Sequence, residues 1–297
     1  MYYTDDTIIY LNGKFVKAAD AKTSLYDQSI HYGYAVFEGI RSYKTQNGTQ
    51  IFKAAEHYDR LKYSAEVVSI PYDYPTGELI SISYGLLEKN NFDDAYLRPL
   101  IFCPPNMHLH KAKESSIMIA AWKWDAYLGN KLLRVMTSSY QRPNPKGFKI
   151  HAKVSGHYVN SILACQEAKD NGYDEALLLD AKENVAEGPG ANVFFEKDGK
   201  LFTPQAKNIL PGITRATVIE ICKELDIPVE EKSFTIEELK EADAAFYCGT
   251  AAEVIGWESL DDIKFPKPWN ETVSSVVQEA YKCKVLQKEF KRSFVRA

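Results

Sequence analysis

The 297-residue sequence predicts an α+β protein of two domains. Three observations carry that expectation. Segments with strand and helix periodicity follow one another without the βαβ rhythm of a parallel sheet. Asn12-Gly13, Asn47-Gly48 and Asp198-Gly199 stand between β-branched or aromatic runs, which marks tight hairpins. The stretch DAYLGNK after Trp124 has no clear period and separates two halves, each with enough apolar sequence for a core. The expected boundaries are 1–125 for a smaller N-terminal domain, 126–133 for a linker and 134–297 for a larger C-terminal domain.

The elements follow in order. TIIYLNGKFVKA and FEGIRSYKTQNGTQIFKA read as hairpins. A helix fits 54–68, with Tyr58, Leu61, Ala65 and Val68 near one face, and a second fits 76–89. AYLRPLIF and SSIMIAAWKW read as strands, and LLRVMTSS opens the second half. QRPNPKG is a loop by its prolines and glycine. A helix then spans about 156–170, with Val159, Ile162, Leu163 and Gln166 at helical spacing and Asn171-Gly172 as its stop. EALLLD, ENVAEG and ANVFFEKDGKLFTP are strands. LPGITRATVIEICKEL is a helix with Val218, Ile221, Cys222 and Leu225 as its buried stripe. TIEE from Thr235 is a capping box, and AAFYCGTAAEV is a strand ending in a small-residue turn.

Composition narrows the function classes. The chain is 45% hydrophobic and 26% charged with a net charge of −4, which disfavours a nucleic-acid partner. No run approaches the ~18 apolar residues of a membrane span. Residues 1–7 carry acids and no apolar run, so no signal peptide is expected. The five cysteines are scattered, odd in number and without a CxxC, which fits a reducing cytoplasm rather than disulfides or zinc. His108 and His110 lack further ligands at metal spacing and read as part of an exposed loop.

Four features bear on chemistry. Lys153 lies in AKVSG, among small residues and with no carboxylate beside it. A free lysine has a pKa of about 10.4, and desolvation suits it to imine formation. AEGPGANVF sets Glu187 beside small, flexible neighbours that let a flat ring approach. LPGIT opens a helix whose first N–H groups, on Ile213 and Thr214, suit an anion. CGTAA offers a second such turn with the Thr250 hydroxyl. Each has a plainer reading: a solvated turn lysine, an exposed turn glutamate, ordinary caps. Together they fit the lysine, acid and phosphate cradles of a pyridoxal 5′-phosphate (PLP) site. Neither GxGxxG nor GxxxxGK[ST] occurs, so a dinucleotide or P-loop site has no support.

In order and spacing, YLNGKFV, HYGYAVFEGIR, YLRPLIF, AWKWDAYLG, AKVSGHYVNSILACQEA, AEGPGANVFFEKDGKLFTP, LPGITR and GTAAEV span nearly the whole chain. The chain resembles the class IV (fold type IV) PLP aminotransferases, and among them the branched-chain amino acid aminotransferases. The resemblance implies a small N-terminal α/β domain and a larger domain with a β-barrel-like core. It implies transamination between leucine, isoleucine or valine and 2-oxoglutarate, giving 2-oxo acids and glutamate.

The resemblance also implies roles. Lys153 would form the imine with the cofactor, and Glu187 would pair with the ring nitrogen. Tyr158 would bond the phenolic oxygen, and Leu210 would pack on the ring, with Asn192 beside the acid. Arg60, Ile213, Thr214, Gly249 and Thr250 would hold the phosphate. Phe37, Gly39, Trp124 and Tyr127 would line the substrate side-chain pocket, with Tyr32 reaching in from a neighbouring subunit of a homodimer or larger homo-oligomer. Tyr96, Thr250 and Ala251 would take the substrate carboxylate, and Arg98 the distal carboxylate of glutamate. Two positions depart from the pattern. Pro189 replaces a small residue beside the acid, which removes a backbone donor, and Tyr34 is larger than usual. D-amino acid transaminases, amine transaminases and aminodeoxychorismate lyases share the cofactor residues and stand as alternatives.

Overall fold

A computed structural model describes residues 2–124, 128–129 and 131–290. The chain forms two compact units, Met1–Asp125 with Ala152–His157, and Ala126–His151 with Tyr158–Ala297. Lys153 thus belongs to the first unit, although most of the chain around it builds the second.

In the first unit, β1 (Ile8–Leu11) and β2 (Lys14–Lys17) pair across Asn12-Gly13, both residues with positive φ. The short helix α1 (Gln28–Tyr32) leads into β3 (Ala35–Phe37), then β4 (Ile40–Thr45) and β5 (Gly48–Ile51). Helices α2 (Ala54–Val67) and α3 (Thr76–Asn90) precede β6 (Ala95–Phe102) and β7 (Ser116–Trp122). The antiparallel sheet runs β2-β1-β7-β6-β4-β5, with β3 also on β6. Tyr58, Leu61 and Ala65 of α2 and Leu79 and Leu86 of α3 form one core with Ile40, Leu97, Ile101 and Ile119 of the sheet. Side chains alternate across a strand. Leu97 and Ile101 of β6 therefore turn to the helices, and Tyr96 and Arg98 turn to the other face. Val68, expected on the α2 stripe, is only half-buried because it is the helix's C-cap.

The second unit contains β8 (Leu133–Gln141), α4 (Tyr158–Asp170), β9 (Glu175–Leu179), β10 (Val185–Glu187), β11 (Asn192–Lys197) and β12 (Lys200–Thr203). Then come α5 (Ile213–Glu224), β13 (Val229–Glu231), α6 (Ile236–Lys240), β14 (Ala244–Gly249), β15 (Glu253–Leu260), β16 (Ile263–Lys264) and α7 (Val273–Val285). The sheet order is β10-β9-β8-β15-β14-β11-β12-β13, and a further β10–β11 pairing closes six strands into a barrel. Leu133, Leu177, Val193, Tyr247, Ile255 and Trp257 belong to one core cluster. On the opposite face of β11 and β14, Phe194 and Phe246 stack at 5.1 Å. Thr235 caps α6 by accepting the Glu238 N–H, the first half of the expected capping box.

The apolar spacing that marks α4 as a helix does not mark its buried face. Its buried positions are Ser161, Ala164 and Ala168, whereas Val159, Ile162 and Leu163 are 60%, 66% and 44% exposed. Ala164 and Ala168 pack on Ala176 and Leu178 of β9. Small side chains let the helix lie close to the sheet, so the larger apolar stripe faces outward. Leu225, the C-cap of α5, is likewise only half-buried, while Val218, Ile221 and Cys222 are buried as expected.

The loop with His108 and His110 is exposed, its carbonyls held by the Gln28 amide at 2.9 Å each. Among the described residues, no cluster of His, Cys, Asp or Glu is placed to hold a metal ion, and no helix is long and apolar enough to cross a membrane. All five cysteines are free thiols.

Candidate active site

The candidate residues fall into two groups, one in each unit. In the first, Lys153 is anchored through its backbone. Its N–H donates to Ser64 Oγ of α2 at 3.0 Å, and its carbonyl accepts from Phe37 N–H at 3.1 Å. Val154 forms an antiparallel bridge with Val36. Ala152 and Val154 are buried on either side, and the lysine Nζ stands 5.0 Å from the Phe37 ring centroid. The passage is tight: a Cβ on Gly33, which has φ +62°, would lie 2.7 Å from Gly156 Cα.

Strand register sets an aromatic face around Arg98. Tyr96 lies opposite Trp122 in the β6–β7 pair, and Phe37 opposite Leu100 in the β3–β6 pair. The Arg98 guanidinium carbon is 4.7 Å from the Phe37 centroid, 5.4 Å from Tyr96 and 5.7 Å from Trp122. Its Nη2 stands 3.4 Å from Tyr96 Oη, and its Nε has no hydrogen-bond partner among the described residues. Trp124 meets Tyr96 edge-on at 4.7 Å. A Cβ at Gly39 would fall 1.8 Å from Tyr96 Oη, so the tyrosine's position requires glycine there. Arg98, Trp122 and Trp124 border a cleft of about 490 Å³ together with Tyr2, Tyr3 and Met118.

Arg60, from α2, pairs side-on with buried Glu38: Nε to Oε1 at 2.7 Å and Nη2 to Oε2 at 2.9 Å. His57 Nδ1 donates to Oε2 at 2.7 Å. Burial opposes the Glu38 charge, but the Arg60 charge and the bonds from both partners outweigh it and hold the carboxyl well below its usual range. Burial pushes the His57 pKa down despite the adjacent carboxylate, so the ring stays neutral and donates through Nδ1.

In the second unit, one end of the barrel collects the other group. Glu187 ends β10 and lies opposite Asn192 of β11, which in turn lies opposite Cys248 of β14, next to Gly249. Glu187 is 4% exposed. Its Oε1 accepts Leu210 N–H and its Oε2 the Asn192 amide, each at 3.0 Å. Arg142 Nε stands 2.6 Å from Oε1 as a charge contact, out of line for a hydrogen bond. Asn192 also donates to Leu210 O, and a Cβ on Gly212 would meet Asn192 Oδ1 at 1.9 Å. The Leu210–Gly212 turn is thereby pinned beside the acid, and α5 starts from it.

The α5 N-cap, Gly212, supplies no side-chain cap. The first-turn N–H groups, including those of Ile213 and buried Thr214, have no partner within the helix. Thr250 and Ala251 form the half-buried turn after β14. Tyr158 is the first residue of α4, which is tied to the turn after Glu187 by the bond from Ser161 Oγ to Pro189 O at 2.7 Å. Pro189 thus keeps the acceptor that this turn uses.

Two candidates stand apart. Tyr127 lies outside the described residues. Tyr32 is exposed at the end of α1, its hydroxyl on the Met107 carbonyl at 3.2 Å. The sequence reading missed Glu38, His57, Ser64, Trp122 and Arg142. A signal existed for two of them: His57 and Arg60 sit at i and i+3 on one helix face, near a lone acid in the apolar run AVFEGI. Arg142 lay hidden in a segment legible only as a proline loop.

The Amino-transferase class IV family model matches residues 35–260. The branched-chain-amino-acid aminotransferase of Pseudomonas aeruginosa is 38% identical over 282 residues, covering 93% of this chain and 92% of the relative. The crystal structure of a branched-chain aminotransferase from Thermoproteus uzoniensis with norvaline superposes with a TM-score of 0.92 at 36% identity, over 95% of this chain and 96% of the other. The crystal structure of the Escherichia coli branched-chain amino acid aminotransferase also gives 0.92 at 36%, over 98% of this chain and 100% of the other. With a family model spanning most of its length and relatives alike in both sequence and fold, the chain belongs to the class IV aminotransferases.

Proposed function

We propose that this chain is a PLP-dependent aminotransferase that exchanges the amino group of leucine, isoleucine or valine with 2-oxoglutarate, yielding branched 2-oxo acids and glutamate. The observation that carries the reading is Arg98 set among Phe37, Tyr96 and Trp122. Such a face welcomes a branched apolar side chain, whose full burial gains roughly 1.5–3 kcal/mol. It also supplies one cation for a glutamate carboxylate that would otherwise be costly to bury.

The residues present fit the cofactor. Glu187 is a buried acid with both oxygens held, suited to a protonated ring nitrogen. A Cβ at Gly249 would sit 3.2 Å from Gly190 O, so the turn before Thr250 packs closely against the turn after Glu187. Lys153 would hold the cofactor's aldehyde carbon, Tyr158 its phenolic oxygen and Leu210 one ring face. Arg60, Ile213, Thr214 and Thr250 would hold its phosphate. The bound cofactor supplies an electron sink for the substrate Cα. Once the substrate amine displaces it from the aldehyde carbon, Lys153 Nζ would take the Cα proton as general base and pass it, as general acid, to that carbon. Tyr96 with the Thr250 and Ala251 N–H groups orients the substrate α-carboxylate.

Incubation with leucine and 2-oxoglutarate is expected to give glutamate. Faster turnover of a D-amino acid, a primary amine or aminodeoxychorismate would overturn the substrate assignment.

The reading extends to a homodimer or larger homo-oligomer. Exposed Leu25, Tyr26, Ile30 and Tyr32 in the first unit and Val159, Ile162 and Leu163 in the second support it. Free thiols throughout support a reducing cytoplasm.

A further inference from the structure

We propose that Glu38, braced by His57, is the positioning residue that aims the Arg60 guanidinium at the cofactor phosphate. The inference rests on the reading of Arg60 as a phosphate ligand and adds the two residues that make the arginine competent.

The argument starts from geometry. Glu38 is fully buried and commits both oxygens, Oε1 to Arg60 Nε and Oε2 to Arg60 Nη2. A planar guanidinium bonded along its Nε–Nη2 edge has its plane fixed, and its opposite edge must point away from the carboxylate. His57 Nδ1 and, more weakly at 3.3 Å, Gly39 N–H hold Oε2 from elsewhere. The acid therefore cannot rotate to follow the arginine. The arginine, a long side chain with many rotamers, must follow the acid.

Charge points the same way. One carboxylate, one guanidinium and a neutral imidazole make a cluster with no net charge. Such a cluster can stay buried, whereas Glu38 alone could not. Its carboxylate engages the guanidinium along the Nε–Nη2 edge.

The placement is economical. His57, Arg60 and Ser64 all project from α2, and Ser64 Oγ receives the Lys153 backbone N–H. Glu38 follows β3, whose Phe37 N–H donates to the Lys153 carbonyl. The same helix and strand end thus fix the lysine backbone and the guanidinium. A rigid spacing between them is what a ligand bound at both its ring and its phosphate requires.

The test compares binding of pyridoxamine 5′-phosphate and pyridoxamine to the full-length, cofactor-free chain. Neither probe bonds covalently to Lys153, so the ratio of their affinities reports phosphate recognition alone. Glu38→Gln keeps the shape but offers Arg60 a donor where an acceptor stood. It is expected to lower the ratio at least tenfold while leaving pyridoxamine affinity within about twofold. His57→Leu should lower the ratio in the same direction. His57→Asn, whose amide N–H replaces Nδ1–H, should retain it. Arg60→Met is the control for the underlying reading: an unchanged ratio there would remove Arg60 from the phosphate site. A collapse with Arg60→Met but equal losses for both probes with Glu38→Gln and His57→Leu would overturn the positioning role alone. If Glu38→Gln does not fold, the His57 pair decides the outcome.

Discussion

Arg142 Nε stands 2.6 Å from Glu187 Oε1, with the two side chains only 10% and 6% exposed. The proposed ring acid therefore faces a cation of its own chain, besides the ligand it would bind. Removing one partner of such a buried pair typically costs about 3–5 kcal/mol. Arg142→Met is expected to lower the urea midpoint of the cofactor-free protein, and Glu187→Gln in the same chain should restore part of the loss. An unchanged midpoint for Arg142→Met would show that the pair is not coupled.

Arg98 is expected to discriminate between the two substrate classes. Losing a charge-assisted bond to a carboxylate costs roughly 1.5–3 kcal/mol, or about ten- to a hundredfold. Arg98→Leu should reduce kcat/KM for glutamate by that factor and for leucine only slightly. Equal reductions for both substrates would mean that Arg98 only supports the rings of Phe37, Tyr96 and Trp122.

The outward stripe of α4 leads to an association test. Ile162→Asp places a charge on a surface expected to lie against a second copy, while the inward face of Ser161, Ala164 and Ala168 is untouched. The variant should sediment as a smaller species and retain its circular dichroism. An unchanged sedimentation coefficient would remove α4 from the contact.

A pH effect follows from Glu175. Burial raises its pKa, only partly opposed by the Ala176 N–H and the Cys165 thiol, which donate to its Oε1 at 2.9 and 3.1 Å. A raised folded-state pKa contributes stability below the ordinary carboxylate range, and that contribution is lost as pH rises through the folded value. Glu175→Gln stays neutral throughout. It should match wild type near pH 4 and melt at a higher temperature at pH 8. A variant melting lower than wild type at pH 8 would contradict this assignment.

Much of this molecule was legible in its sequence because local rules and tertiary structure agree. Asn12-Gly13 turns a hairpin with both residues at positive φ, and Thr235 caps α6. Elsewhere the deciding contacts are distant in sequence. The period of α4 marks an apolar stripe but cannot say whether the partner is the chain's own sheet, and here Ala164 and Ala168 take that side. Closure of the barrel rests on the β10–β11 pairing, which no periodicity reveals. Among the candidate site residues, Lys153, Glu187 and the LPGIT turn stood out through their neighbouring residues. Glu38 stood out only as a lone acid in an apolar run, and its partner Arg60 lies 22 positions away; Arg142, 45 positions from Glu187, gave no sign at all.

The central claim is that Lys153 carries the cofactor. Borohydride reduction of the PLP-loaded protein, followed by peptide mapping, tests it most directly. The label is expected on the peptide containing Lys153, and a Lys153→Ala chain that remains folded should take up none. A stable label on any other lysine, with Lys153 unmodified, would contradict the account.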